Sequence, residues 1–344
     1  GTVPGKKICY AAHVDTSPEA PGGATCLIHE YKGEDIVLPK NGTVISADNK
    51  NLRHKVGCTI VTASGDTTLG ADDEAGVAIL VQNMLDIASG VIKDHPPVDF
   101  WLCVDEEIGR LDITVVPEEI VASWDGLITL DGENPKDVDI DCFCGWETLV
   151  EFTGNSAHPG VNGEDLKPAH YALARFLVEI EDHFPQPWQT KDLEPFVYVA
   201  GVTSTTSVKA TAKVYPRSFD PDELPGMHQT VVRLAEKVAS RYKVGCEIGG
   251  EGLMYVGTGT AIQKSPEILP PIMRTVDEVL GKSTQQSVRG GTDGAMINVD
   301  RPDLASPNLG TGMYDFHGTG EFLVVEEMIS MYEVMKRLIP AYAA

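Results

Sequence analysis

Apolar residues gather in this chain in two patterns. Short continuous runs come first: KICYAA over Lys7 to Ala12 stops at His13, VDFWLCV over Val98 to Val104 stops at Asp105, and the run from Gly126 to Leu130 stops at Asp131. Runs of this length without alternation predict strands buried on both faces, each delivering a polar residue at its tip. Between the first two, Val77, Ile79, Leu80, Met84 and Ile87 recur at helical spacing over Glu74 to Ala88, ahead of Gly90 and Pro96-Pro97. That spacing predicts an amphipathic helix with a glycine stop. Strands alternating with helices, and strand ends bearing carboxylates or an imidazole, predict an α/β sheet with a site along its carboxyl edge.

From about Trp146 the pattern changes. ETLVEFTG and SVKATAKVY alternate apolar and polar positions, and two long helical stretches lie near Asp165 to Asp182 and Asp222 to Tyr242. This order predicts a β-α-β-β-α-β domain. After about Gly257 an amphipathic segment from Pro266 to Leu280, the glycine-rich RGGTDGA and a C-terminal helix return to the first style. The expected organisation is a first domain split over residues 1–142 and 257–344, with residues 143–256 inserted as an α+β, ferredoxin-like domain.

Composition narrows the functions. The 344 residues carry 51 acidic against 27 basic side chains, a formal charge of −24. A field of that sign repels nucleic acid and anionic membrane surfaces, so neither is an expected partner, and no apolar run reaches the ~20 residues that span a bilayer. The seven cysteines are widely spread with no disulfide framework, the pattern of reduced thiols, and a cytoplasmic location is expected. Cys142 and Cys144 form a C-x-C without a second pair, which strand alternation explains better than a zinc site does.

The candidate chemistry lies in five segments. His13-Val14-Asp15 sets two side chains on one side of an extended strand, where Asp15 can fix the tautomer of a ligating His13. LGADDEAG places Asp72 and Asp73 in a turn before a helix, and helix capping is the plainer account of that pair. Asp105-Glu106-Glu107 crowds three acids behind a buried strand, costly without a cation. Of two adjacent glutamates one can hold an ion while the other moves a proton. Asp131 ends a strand, and His317 sits in a glycine-rich loop nearly at the other end of the chain. Each segment alone has an ordinary surface explanation. Together they supply imidazoles and carboxylates suited to zinc, cobalt or manganese.

In order, HVDTSPEAPGG, TLGADDEAG, DEEIG, TLDG, NSAHPG, RGGTDGA, SPNLGTG and FHGTGEF resemble the peptidase T family of tripeptide aminopeptidases, within the larger family of co-catalytic dizinc peptidases and aminoacylases. The likeness runs from about Ile8 to the C terminus, and YKGEDIVLPKNGTVIS is closer to peptidase T than to the wider family. The resemblance implies a zinc-peptidase catalytic domain, a mixed sheet flanked by helices, with the inserted domain as lid and homodimer contact. It implies a metallo-aminopeptidase that hydrolyses the N-terminal bond of short peptides with two Zn2+, or Co2+ or Mn2+. His13 and Asp131 would hold one cation, Glu107 and His317 the other, and Asp72 both, with Glu106 as general base and Asp15 orienting His13. His158 would support the oxyanion, and Arg217 in YPRSFD would receive the peptide carboxylate, a surface ion pair being its plainer role. Arg289 would bind substrate or brace Asp293. The Asp72–Asp73 peptide bond would be cis.

The resemblance also implies a strand and helix ahead of the HVDT segment. Gly1 stands only twelve positions before His13, so the first domain is expected to lack them, either because the chain is a fragment or because that region was lost. Two other readings stand beside the aminopeptidase: a carboxypeptidase or aminoacylase-type amide hydrolase on the same dinuclear site, and a catalytically impaired binding protein. Asp at position 131, where the carboxypeptidases carry Glu, favours the aminopeptidase, and the ligands and Glu106 are all present.

Overall fold

A computed structural model describes residues 1–18, 20–108 and 116–344. The three apolar runs form strands Ile8–His13, Val98–Cys103 and Gly126–Gly132, and the first pairs in parallel with both of the others. Side chains alternate across the central strand. Ile8, Tyr10 and Ala12 join the main core, whereas Cys9 and Ala11 face a second cluster with Trp124, Leu127, Ile297 and Leu304. With both faces covered, the strand needs apolar residues at every position, which is why its sequence does not alternate.

The sheet has six strands, in the order Thr284–Val288, Asp137–Cys142, Asn308–Gly310, Gly126–Gly132, Ile8–His13 and Val98–Cys103. Asn308–Gly310 runs parallel to Gly126–Gly132 and antiparallel to Asp137–Cys142, so the sheet is mixed. Helices Ala71–Ser89, Leu269–Leu280 and Val325–Ala341 send Ile79, Leu80, Ile272, Val276, Met331, Val334 and Leu338 into its main core. The first of these helices lies close to the sheet: a Cβ on Gly76 would come within 2.5 Å of both Asp73 Oδ1 and the Leu130 carbonyl oxygen. Only glycine permits that approach.

A smaller antiparallel sheet joins Met313–Tyr314, Phe322–Val324, Thr59–Thr62 and Leu27–Glu30, and it closes over Tyr31, Leu38, Leu52, Ile60 and Phe322. The loop between its first two strands carries His317, whose φ of 62° is left-handed.

Apart from Cys142, the last residue of its strand, these elements belong to one compact unit, Gly1–Asp141 with Thr258–Val288 and Thr292–Ala344; a second unit comprises Cys142–Gly257 and Arg289–Gly291. The second has a four-stranded antiparallel sheet, Phe196–Thr203, Lys209–Ser218, Cys144–Thr153 and Gly245–Tyr255. Helices Ala169–His183 and Leu224–Tyr242 pack on it through Phe176, Ile180, Val231 and Val238. The first of them begins later than the Asp165 expected from spacing. Pro168 precedes its first residue, and Gly163–Asp165 form a separate 3-10 turn, because a proline lacks the amide hydrogen that a helix running through it from Asp165 would use. Among the described residues no helix is long and apolar enough to cross a membrane.

Candidate metal centre

Three neighbouring parallel strands end at one edge. Ala11 is in register with Thr129, which brings His13 level with Asp131, and His13 itself pairs with Cys103. The chain leaves Cys103 through Asp105, at a left-handed φ of 63°, into a 3-10 turn over Glu106–Ile108. The turn containing Asp72 and Asp73 opens the helix packed behind this edge, and the peptide bond between them is cis, as the resemblance implied. Parallel pairing thus collects side chains that are far apart in sequence.

Asp72 lies at the middle of the cluster. One of its oxygens is 2.9 Å from His13 Nε2 and the other 3.1 Å from His317 Nε2. His317 Nε2 is also 3.0 Å from Glu107 Oε2, and Asp131 Oδ1 lies 3.8 Å from His13 Nε2. Ligand atoms of His13, Asp72 and Glu107 fall within 4.8 Å of one another, as do those of His13, Asp73 and Asp131. The structure therefore brings together His13, Asp72, Glu107, Asp131 and His317, and adds Asp73. Glu106 precedes Glu107 in the same turn.

Asp15 acts differently from the strand argument. The strand stops at His13, so alternation no longer applies, and the tighter contact of His13 Nδ1 is the Asp15 carbonyl oxygen at 2.9 Å, with the carboxylate at 3.5 Å. A carbonyl can only accept, so Nδ1 carries a hydrogen and Nε2 is the ring nitrogen that faces the cluster. The carboxylate accepts the amide hydrogens of Glu106 and Glu107, both at 3.1 Å, and so fixes the glutamate turn to the end of the His13 strand.

The electrostatics point to missing positive charge. Burial would lower the pKa of His13, but its hydrogen bonds with Asp15 and Asp72 outweigh this and raise it far above the ordinary imidazole value. His317 is raised to about 10 by Asp72 and Glu107. Burial pushes Asp72 upward, yet the two imidazoles hold it below the carboxylate range. Glu106 is pushed well up by burial and by Asp293, Asp131 by burial and Asp72, and Asp73 by burial foremost. Among the described residues every ion pair of Asp72, Glu107 and Asp131 runs to a histidine, none to Lys or Arg. Protons thus stand where cations would, and cations displace them. Glu107 Oε1 is buried with no hydrogen-bond partner among the described residues. An orphaned carboxylate oxygen beside imidazole nitrogens is a donor set that fits a divalent transition metal.

Three expected substrate residues belong to the second unit. His158 is exposed and its Nδ1 accepts the Gly160 amide hydrogen at 3.2 Å. The Arg217 guanidinium lies 5.1 Å from the Tyr215 ring centre and 4.9 Å from that of Tyr255. Arg289 donates to Thr190 Oγ1 at 2.5 Å and stacks over Phe143 and Phe196.

Sequence reasoning missed three residues. Asp73, seen only as half of an acidic pair, accepts the amide hydrogens of His13 and Gly76, each at 3.2 Å. Asn308 in SPNLGTG accepts from the Thr129 hydroxyl at 2.8 Å and the Asp131 amide at 2.9 Å, and donates to the Asp131 carbonyl at 3.0 Å and to Asp139 at 2.9 Å. Glu321 in FHGTGEF is fully buried. Their partners are chiefly backbone groups, which leave no mark in the residue types of a sequence.

No family model matches the chain. Among curated proteins it is similar to the peptidase T of Desulfitobacterium hafniense (strain DSM 10664 / DCB-2), 30% identical over 98% of this chain and 82% of that protein. Among solved structures it is similar to a tripeptidase from Staphylococcus aureus, with a TM-score of 0.68 and 19% identity over 99% of this chain and 82% of that one. A Bacillus subtilis protein described as a dinuclear metal binding peptidase from the M20 family gives a TM-score of 0.60 at 14% identity, over 99% of this chain and 82% of that one. These structural likenesses concern the fold: an α/β mixed sheet flanked by helices.

Proposed function

Because the chain belongs to the peptidase T family and is a metallopeptidase, we propose that it removes the N-terminal residue from short peptides, tripeptides foremost, at a site for two divalent cations. The observation carrying this reading is the Asp72 carboxylate, whose two oxygens meet two different imidazoles at 2.9 and 3.1 Å. A carboxylate so placed can serve as a ligand common to two ions. In this reading His13 and Asp131 hold one, Glu107 and His317 the other, and Asp72 both. Zinc is the ion proposed, with Co2+ or Mn2+ able to take its place.

When bound, such a pair supplies a water acidic enough to lose its proton near neutral pH and polarises the scissile carbonyl. Glu107 is the member of the glutamate pair that reaches His317, and Glu106 receives the proton of the attacking water and passes it to the leaving amine. Asp15 keeps this division of labour by holding both glutamate amides and the His13 ring. His158 donates to the developing oxyanion, Arg217 pairs with the peptide carboxylate, and Arg289 assists in substrate binding. Residues 143–256 are proposed as lid and homodimer contact, and the cytoplasm as the location.

Metal content by mass spectrometry, measured beside hydrolysis of Xaa-Gly-Gly tripeptides, tests this. Glu106→Gln is expected to retain metal and lose turnover by at least ~100-fold. Unchanged turnover removes Glu106 from the proton-transfer role, and a preference for N-acyl amino acids over tripeptides moves the protein to the aminoacylase reading.

A further inference from the structure

Glu321 has no part in the mechanism above, yet it is a carboxylate with 0% exposure and, among the described residues, no charged hydrogen-bond partner. Its Oε2 accepts from the Thr68 hydroxyl, from the Leu69 amide at 2.7 Å and from the Gly70 amide at 2.9 Å. Its Oε1 accepts the Asp72 amide hydrogen at 3.0 Å. A buried carboxylate without a basic partner is costly, and donors gathered around it are what make it tolerable. The question is why so expensive a group stands at the start of a helix.

A local cap would serve the helix alone. The N-cap position is Gly70, which has no side chain to offer. The donors are satisfied instead from about 250 positions along the chain, by a residue four after His317 in the same loop. That loop is closed by the Glu321 amide donating to the Gly318 carbonyl oxygen at 3.1 Å. One end of the loop thus carries the imidazole that meets Asp72, and the other carries the carboxylate that holds the Asp72 backbone.

We infer that Glu321 is a positioning residue of the metal site, fixing the separation between the shared ligand Asp72 and His317 by tying the two loops together; the inference rests on the dinuclear reading. It explains the residue type. Every partner is a donor, so an amide of the same shape sets its NH2 against N–H or O–H groups, and only a carboxylate accepts from all four.

The test is calorimetric titration of Co2+ into chelator-stripped protein, with kcat and KM on Xaa-Gly-Gly after loading. The chains compared are the unaltered protein, Glu321→Gln, Thr68→Val and Leu338→Ala. Leu338 lies in the main core with 0% exposure, so its truncation lowers stability without touching the site. The unaltered protein is expected to bind two Co2+. In Glu321→Gln at least one binds about 10–100-fold more weakly, in the range seen when a group supporting a ligand is lost. Its kcat falls with KM nearly constant, as for an interaction that matters in the transition state. Thr68→Val, which removes one donor, weakens Co2+ binding by about fivefold. Leu338→Ala loses melting temperature and keeps both affinities.

A folded Glu321→Gln that binds both ions as the unaltered protein does overturns the inference. If that variant does not fold, Thr68→Val decides: weakened binding supports the role, and undiminished binding overturns it. Should the unaltered protein itself not bind two Co2+, the dinuclear reading fails first and takes this inference with it.

Discussion

Two buried acidic groups in this molecule are handled in opposite ways. In the second unit Glu179 is closed off between helices, with Arg175 at 2.6 Å and Lys237 at 2.8 Å. Lys237 and Arg175 pull its carboxyl down to about 2. In the first unit Asp72, Asp73, Glu106, Glu107 and Asp131 share their surroundings with two imidazoles, and burial pushes Asp73, Glu106 and Asp131 upward. The first arrangement is complete as protein. The second is complete only with added positive charge. The difference shows how to separate a structural carboxylate from a ligand: by what neutralises it, since burial is common to both.

Removing the proposed shared ligand should break the comparison most severely. Asp72→Asn replaces a carboxylate oxygen with an amide nitrogen at a position that meets one of the two imidazoles. Loss of several kcal/mol of transition-state stabilisation corresponds to a fall of roughly 1,000-fold in kcat/KM, with metal content falling in parallel by mass spectrometry. Glu179→Gln, by contrast, should leave metal content unchanged. A variant of Asp72 that keeps full metal content dismisses it as the common ligand.

Asn308→Leu should have the next largest effect. The Asn308 side chain makes four hydrogen bonds, two of them to the backbone of Asp131 and one to the buried Asp139. Leucine leaves the Thr129 hydroxyl, the Asp131 amide and Asp139 short of partners, each an unpaired buried group costing about 1–3 kcal/mol. Asp139, already raised to about 6 by burial against the help of Gln286 and Asn308, loses one of its two donors. A denaturant midpoint unchanged from the unaltered protein would show that Asn308 is dispensable.

The legible part of the site is the part made by strand ends. His13, Asp105 to Glu107 and Asp131 follow apolar runs that had to be neighbouring buried strands, and parallel strands end together. His317 and Asp72 stood out as a histidine and an acidic pair in glycine-flanked segments, although only folding brings the small sheet's loop to the helix start. The hydrogen bonds that hold these side chains in place were not legible. Glu321, Asn308 and Asp73 act on backbone groups, and Asp15 acts on the His13 ring through its own carbonyl; every residue possesses such groups, so no spacing announces them. Asp15 shows the limit most clearly: its proximity to His13 was readable, but which of its oxygens faces the ring depends on where the strand stops.

The smallest expected effects are in the pH dependence of stability, where the two regions should differ in sign. His317 is raised from 6.5 to about 10 in the folded, cation-free protein. The folded state therefore holds its proton more tightly, and the stability this gives is full below about pH 6.5 and is lost as pH rises toward 10. Glu179 is lowered from 4.5 to about 2, so its contribution is full above pH 4.5 and is lost as pH falls toward 2. Solvent screens both interactions, the His317 side chain being 48% exposed and the Lys237 partner of Glu179 62% exposed, which keeps each effect small. The signs are nevertheless opposite. Urea midpoints of chelator-stripped protein should decline across the alkaline interval, and added Co2+ should remove that decline because ions replace the protons. Across the acid interval, Glu179→Gln should lose less stability than the unaltered protein does. A stripped protein that gains stability between pH 6.5 and 10 would mean that the imidazoles are not held by these carboxylates, and with that the contrast between a neutralised and an unneutralised acidic cluster would disappear.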